Sequence, residues 1–199
     1  MGSQWGEDRQ YRAAVREGYR SRAAYKLIEV QKHAKIIRPD DNVVDLGAAP
    51  GSWLQVLRSL TTGKVIGVDL NPIAPIDGVE TVVGDLNDPA VRERVRSTLG
   101  VVNVVVSDAA PKLSGQRSYD QARAIELDEQ VLAFARATLK PGGNFLVKSF
   151  QGEDFPAFLA RVRQVFRSVR TYQAKASRRG SRECYVIGKN FVGGAPDAD

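Results

Sequence analysis

Asp45-Leu46-Gly47-Ala48-Ala49-Pro50-Gly51 sets an acid ahead of a turn of small residues, and Ser52 and Trp53 follow it. The missing side chains let a ligand approach the backbone beside the start of a helix. A strand-to-helix turn that needs glycine only for its geometry would look the same. Asp69, Asp85 and Asp108 change that balance, because each closes a β-branched run. Ligands of doubly wound sheets sit at the carboxyl ends of the strands. There, an acid after the second strand accepts ribose hydroxyls and one after the third reaches an adenine amine. Mutual repulsion makes such a row a poor choice for stability alone.

An adenosyl ligand is therefore expected. The Gly-x-x-x-Gly spacing departs from the G-x-G-x-x-G dinucleotide fingerprint, and no G-x-x-x-x-G-K-[ST] occurs. An acid before the turn suits a cationic sulfonium better than a pyrophosphate. The reading is S-adenosylmethionine, held by Asp45, Gly47, Ala48, Ala49, Pro50, Gly51, Ser52, Trp53, Asp69, Asp85 and Asp108. For Trp53 the competing reading is a buried hydrophobic contact.

The elements that must position these residues alternate from Val43 onward. Strands are expected at Asn42–Gly47, Val65–Asp69, Val79–Gly84, Val102–Asp108, Asn144–Phe150, Val169–Ala174 and Cys184–Gly188. Helices are expected at Ser52–Leu60, Pro89–Leu99, Tyr119–Leu139 and Phe155–Phe166. Near-continuous apolar runs such as 101–106 are those of doubly covered parallel strands. The class is α/β: a Rossmann-like, seven-stranded, mostly parallel sheet with one antiparallel edge strand and helices on both faces. Leu139-Lys140-Pro141-Gly142-Gly143 reads as a turn into the fifth strand. Ahead of the sheet, Ser21–Ala34 reads as an amphipathic helix with Tyr25, Leu27 and Ile28 inward. Residues 1–20 are read as a basic mobile arm, 21–192 as one domain and 193–199 as a disordered tail.

A 199-residue chain that is 43% hydrophobic can bury a core. No apolar run is long enough to span a bilayer, and the start is polar, so neither a membrane span nor a signal peptide is expected. One cysteine and one histidine make an internal disulfide impossible and a zinc site improbable. The expectation is a reduced, cytoplasmic, monomeric protein without a metal. Charge is unevenly placed: residues 1–38 hold nine Lys/Arg against four acids, and 161–182 hold eight against none. Two basic segments on an acidic body suit a polyanion, through phosphate neutralisation and counterion release. Solvated Arg-rich helix faces are the alternative.

Lys148 lies in an apolar stretch, after Phe145-Leu146-Val147 and before Phe150. It is either an edge residue facing water or a partly buried functional amine. Together with Lys26 in Ser21-Arg22-Ala23-Ala24-Tyr25-Lys26, Asp108 in Ser107-Asp108-Ala109-Ala110-Pro111 and Glu183 in Ser181-Arg182-Glu183, it forms a set that resembles the FtsJ/RrmJ family of RNA 2′-O-ribose methyltransferases, also called RlmE. The resemblance runs from about Gly18 to Phe191 and includes the glycine turn, Asp69 and Gly84-Asp85. It implies that Lys26, Asp108, Lys148 and Glu183 are the Lys-Asp-Lys-Glu tetrad. Lys148 would then accept the 2′-hydroxyl proton, Lys26 support the oxyanion, and the two acids hold the lysines. Ala109 and Ser52 depart slightly from the family's usual residues and leave the turns intact. Amine methylation would call for an aromatic ring after strand four. Cytosine C5 methylation would call for a nucleophilic cysteine, whereas Cys184 reads as a packed core thiol.

The same resemblance implies RNA as partner: a uridine ribose of large-subunit ribosomal RNA within an assembled subunit, or a tRNA ribose. A catalytically inactive adenosyl-binding RNA module is a further alternative, though it need not keep Lys148 and Glu183. Arg20, Arg22, Lys32, Lys175, Arg178, Arg179 and Arg182 are the expected phosphate contacts. Tyr11, Tyr19 and Tyr25 are candidates for base stacking, although Tyr25 also suits inward packing.

Overall fold

The computed structural model describes residues 12–111, 114–175 and 181–193. Its elements run α1 (Ala23–Ala34), β1 (Val43–Leu46), α2 (Ser52–Leu60), β2 (Val65–Asp69), β3 (Val79–Val83), α3 (Pro89–Leu99), β4 (Val102–Ser107), α4 (Arg117–Thr138), β5 (Leu139–Phe150), α5 (Phe155–Val165), β6 (Phe166–Tyr172) and β7 (Glu183–Phe191). The seven strands form one sheet in the order β3-β2-β1-β4-β5-β7-β6. All neighbours from β3 through β5 are parallel, while β7 is antiparallel to both β5 and β6. The antiparallel pair lies at the expected edge, with β7 one place in and β6 outermost.

Strand alternation splits the core into two layers. Val44, Leu46, Val105 and Val147 face α3, α4 and α5 on one side. Val43, Val104, Val106, Leu146 and Tyr185 face α1 and α2 on the other. Within β5 this parity sends Lys148 toward the α1 and α2 side, and Ser149 toward α4. Asp88 caps α3 by accepting from the Ala90 amide at 2.8 Å, with Pro89 in the first turn. Among the described residues, no helix is long and apolar enough to cross a membrane.

Several boundaries move. The expected turn at residues 139–143 lies inside β5, where the register with β4 jumps from Val102↔Leu139 to Val104↔Asn144; the extra residues are absorbed as a bulge. β6 starts earlier than expected because Phe166 stacks on Phe145 at 5.5 Å and Phe191 at 5.4 Å. The inward face of α1 is Ala24, Leu27 and Val30, spaced by three, which leaves Ile28 on the flank at 38% exposure.

The expected mobile arm is partly packed. Residues 12–16 are helical and Ala14 is fully buried. Residues 1–11 and the tail at 194–199 lie outside the described residues.

Candidate active site

The strand order reverses between β1 and β4. There a cavity of about 620 Å³ opens over the carboxyl ends of β1 to β4. Of the expected ligand-binding residues, Gly47, Ala49, Asp69, Asp85 and Asp108 line it, joined by Asn71, Asn87, Arg123 and Glu126. Gly47 adopts φ +72°, and a Cβ there would stand 2.5 Å from that of Ala109. The β1 turn and the β4 exit are thus pressed together over the cavity floor. The Val68 carbonyl accepts from the amides of Gly47 and Ala48 at 2.8 and 3.1 Å, and the Ala49 amide donates to Asp69 Oδ2 at 2.9 Å. Asn71 donates to the other Asp69 oxygen from its backbone and side chain, and Asn87 does the same for Asp85. Both carboxylates are therefore aimed before any ligand arrives.

Asp45 lies beneath the turn, 1% exposed, and neither carboxyl oxygen has a hydrogen-bond partner among the described residues. Burial, with repulsion from Asp108 and Asp69, pushes its carboxyl well above the usual range. Asp45 does not line the cavity and is satisfied by a proton, so the fit to an adenosyl ligand rests on the aimed carboxylates of Asp69 and Asp85.

Ala48, Ser52 and Trp53 are buried behind the turn and do not line the cavity. Trp53 Nε1 donates to the Ala23 carbonyl at 2.9 Å and its ring packs 5.9 Å from Tyr185, so hydrophobic packing has taken the place of ligand contact. Ser52 Oγ shares a hydrogen bond with Ser21 Oγ at 2.7 Å, tying α2 to the start of α1. Pro50 and Gly51 also stand off the cavity, with the Pro50 carbonyl accepting from Arg20 at 2.9 Å.

The four tetrad residues meet at this rim as two ion pairs. Lys148 Nζ lies 3.3 Å from Asp108 Oδ1 and also donates to the Asp108 backbone carbonyl. Lys26 Nζ lies 2.7 Å from Glu183 Oε1. β5 and β7 bring them side by side, because Lys148 pairs with Tyr185 and Phe150 with Glu183 in the antiparallel register. Asp108 also lines the ligand cavity, so the Lys148 pair stands at its border.

One further residue supports the tetrad, and reading the chain did not single it out. The Tyr185 hydroxyl donates to Asp108 Oδ1 at 2.8 Å, fixing the carboxylate that holds Lys148. Its two-residue offset from Glu183 on one strand was the available signal. Behind β5, the Ser149 hydroxyl donates to Asp128 Oδ2 at 2.5 Å in a site where Asp128 is 3% exposed. Burial raises the Asp128 carboxyl to about 8. Cys184 is buried as expected, with its thiol pushed up to about 12 by burial and then by Asp128.

The Asp128 shift has a pH consequence. Its folded-state value lies above its unfolded one, so the associated stability is complete below about pH 4 and is lost as pH rises to about 8. Asp128→Asn keeps the hydrogen bond and removes the titration. The variant should match the native protein below about pH 4 and exceed it by a few kcal/mol near pH 9. Thermal melts across that range check this, and parallel curves would refute it.

The expected RNA contacts divide. Arg20 is a structural clamp: its guanidinium donates to the carbonyls of Pro50, Ala74 and Pro75 at 2.8–2.9 Å, and its amide to Gln55 Oε1 at 2.9 Å. Those carbonyls engage the charge that had been assigned to phosphate. Arg22 is half-buried at the α1 N-cap. Lys32, Lys175 and Arg182 are exposed, and Arg182 directly precedes Glu183. Arg178 and Arg179 lie outside the described residues, as does Tyr11. Tyr19 packs edge-on against Tyr25 at 6.0 Å rather than standing free.

A family model for FtsJ-like methyltransferases matches residues 19–191. The chain is 66% identical over its whole length to the ribosomal RNA large subunit methyltransferase E of Methanoculleus marisnigri, covering 98% of that protein. It is 62% identical to the Methanoregula boonei protein of the same name, over 97% of this chain and all of that one. Among solved structures, a protein assigned as a ribosomal RNA methyltransferase of Plasmodium falciparum superposes with TM-score 0.79 at 29% identity, over 88% of this chain and all of that one. With the profile spanning nearly every element that builds the site, the chain belongs to the FtsJ-like methyltransferase family, whose methyl donor is S-adenosylmethionine.

Proposed function

We propose that this protein methylates a ribose 2′-hydroxyl, at a uridine of large-subunit ribosomal RNA, with Lys148 as the general base. The observation that carries the reading is the Lys148–Asp108 ion pair at the border of the adenosyl cavity, with the Lys26–Glu183 pair on the neighbouring strand. Bound S-adenosylmethionine supplies an electrophilic methyl group on a sulfonium. Asp69 and Asp85 are aimed for the ribose and adenine of that molecule.

A ribose hydroxyl is a weak acid and needs a base to become nucleophilic. Lys148 Nζ accepts its proton, while Asp108, itself fixed by Tyr185, keeps the amine on station. Lys26, tethered to Glu183, places a positive charge beside the developing oxyanion. General-base help contributes roughly 10²–10⁴-fold, and fixing the reactants in line supplies much of the remainder. The relatives' name supports ribosomal RNA over tRNA, and an assembled large subunit in the cytoplasm is the proposed substrate.

Mapping 2′-O-methyl marks in ribosomal RNA and tRNA from cells with and without the protein tests this. One large-subunit uridine mark should disappear with the protein. Loss confined to tRNA, or to a base methyl group, would overturn it.

A further inference from the structure

Beside the tetrad, on the side away from the adenosyl cavity, lies a second cavity of about 310 Å³ that the mechanism does not use. Pro111 lines both cavities, so they are neighbours across that residue. The second cavity's remaining walls come from the same strand ends that carry the chemistry. Phe150 lies two residues beyond Lys148 and pairs in register with Glu183. Gln151 donates its amide to the Arg182 carbonyl at 2.9 Å, extending that pairing to the rim. Opposite stands α4, with Gln121 and the buried Ala124. Asp120 holds the adjoining loop by accepting from the Ser114 amide and hydroxyl at 2.7 and 2.8 Å and the Gly115 amide at 3.1 Å.

One feature of this cavity is unmatched in the protein itself. Gln121 Nε2 is buried, and among the described residues it has no hydrogen-bond partner. The amide end lies against Gly152, where a Cβ would stand 1.5 Å from Nε2. A buried donor without an acceptor is costly, and a ligand that supplies one recovers the cost.

We infer that this cavity receives the base of the nucleotide being methylated, and that Gln121 Nε2 donates to a carbonyl of that base. The inference rests on the ribose-methylation reading above. A ribose placed at Lys148 stands between Asp108, which lines the adenosyl cavity, and Phe150, which lines this one. The aromatic and proline walls offer an apolar slot, and Arg182 offers a cation at its mouth for the adjoining phosphate. Uracil presents two carbonyls, O2 and O4, either of which can accept from this donor.

The test uses large ribosomal subunits that lack the mark, with the native protein and Gln121→Leu compared side by side. The variant should raise KM for subunits about tenfold at nearly unchanged kcat, because the base contact is present in both ground and transition states. Cofactor affinity by calorimetry should not change, since Gln121 lies off the adenosyl cavity. Gln121→Asn keeps the amide but shortens its reach, and it repeats the measurement if leucine disturbs the fold. Native KM in these variants, with the native protein active, would overturn the base pocket alone. No ribose methylation by the native protein would instead overturn the underlying reading.

Discussion

Lys148→Ala will reduce methyl transfer by roughly 10²–10⁴-fold, the range lost with a general base, and will leave cofactor affinity nearly unchanged. The amine contacts Asp108 through both the carboxylate and the backbone carbonyl and does not line the adenosyl cavity. Its removal therefore spares the donor's contacts. Asp108 keeps the Tyr185 hydroxyl at 2.8 Å, which limits rearrangement of the β4 exit. Lys148→Arg separates base from field: a guanidinium retains the positive charge but cannot give up its proton near neutral pH, so it should be almost as inactive. Single-turnover transfer to large subunits, with calorimetric titration of the cofactor, distinguishes the cases. Native-like turnover in either variant would refute the assignment of Lys148 as base.

Gly47→Ala should act on the other half of the reaction. At φ +72° an alanine costs about 1–2 kcal/mol. Its Cβ would also meet that of Ala109 at 2.5 Å, and relieving such overpacking costs about 1–3 kcal/mol more. The expected loss of stability is thus about 2–5 kcal/mol. The relief must come by parting the β1 turn from the β4 exit, the two segments that carry Ala49 and Asp108 to the cavity. Cofactor affinity should fall at least about tenfold, equivalent to 1.4 kcal/mol. Chemical denaturation and calorimetry measure the two effects. An unchanged affinity would show that the turn does not shape the donor's site.

What could be read from the chain was whatever spacing and strand ends encode. The glycine turn, Asp69 and Asp85 announce themselves because each is fixed by the element it terminates. The tetrad was legible through four separate motifs, although no local rule links Lys26 to Glu183; only the sheet does. Tyr185 escaped because an aromatic residue in an apolar strand looks like core, and it is fully buried as well as hydrogen-bonded to Asp108. Arg20 was misplaced because an arginine in a basic segment looks the same whether it meets phosphate or three backbone carbonyls 30 to 55 residues away. Gln121 over Gly152 was invisible for a similar reason: the contact joins α4 to the loop after β5. Trp53 shows the opposite error, a large aromatic beside a ligand turn that belongs to the core.

The position of β7 bears on how the enzyme comes into being. The adenosyl cavity is lined by residues 47–130, all of which leave the ribosome well before β7 does. Glu183 and Tyr185, which tether Lys26 and Asp108, arrive only with that strand, which must then insert between β5 and β6. Vectorial synthesis therefore delivers the donor's binding surface first and the groups that aim the chemistry last. A growing chain still attached to a ribosome, itself rich in ribose hydroxyls, cannot assemble the tetrad until β7 has emerged and docked.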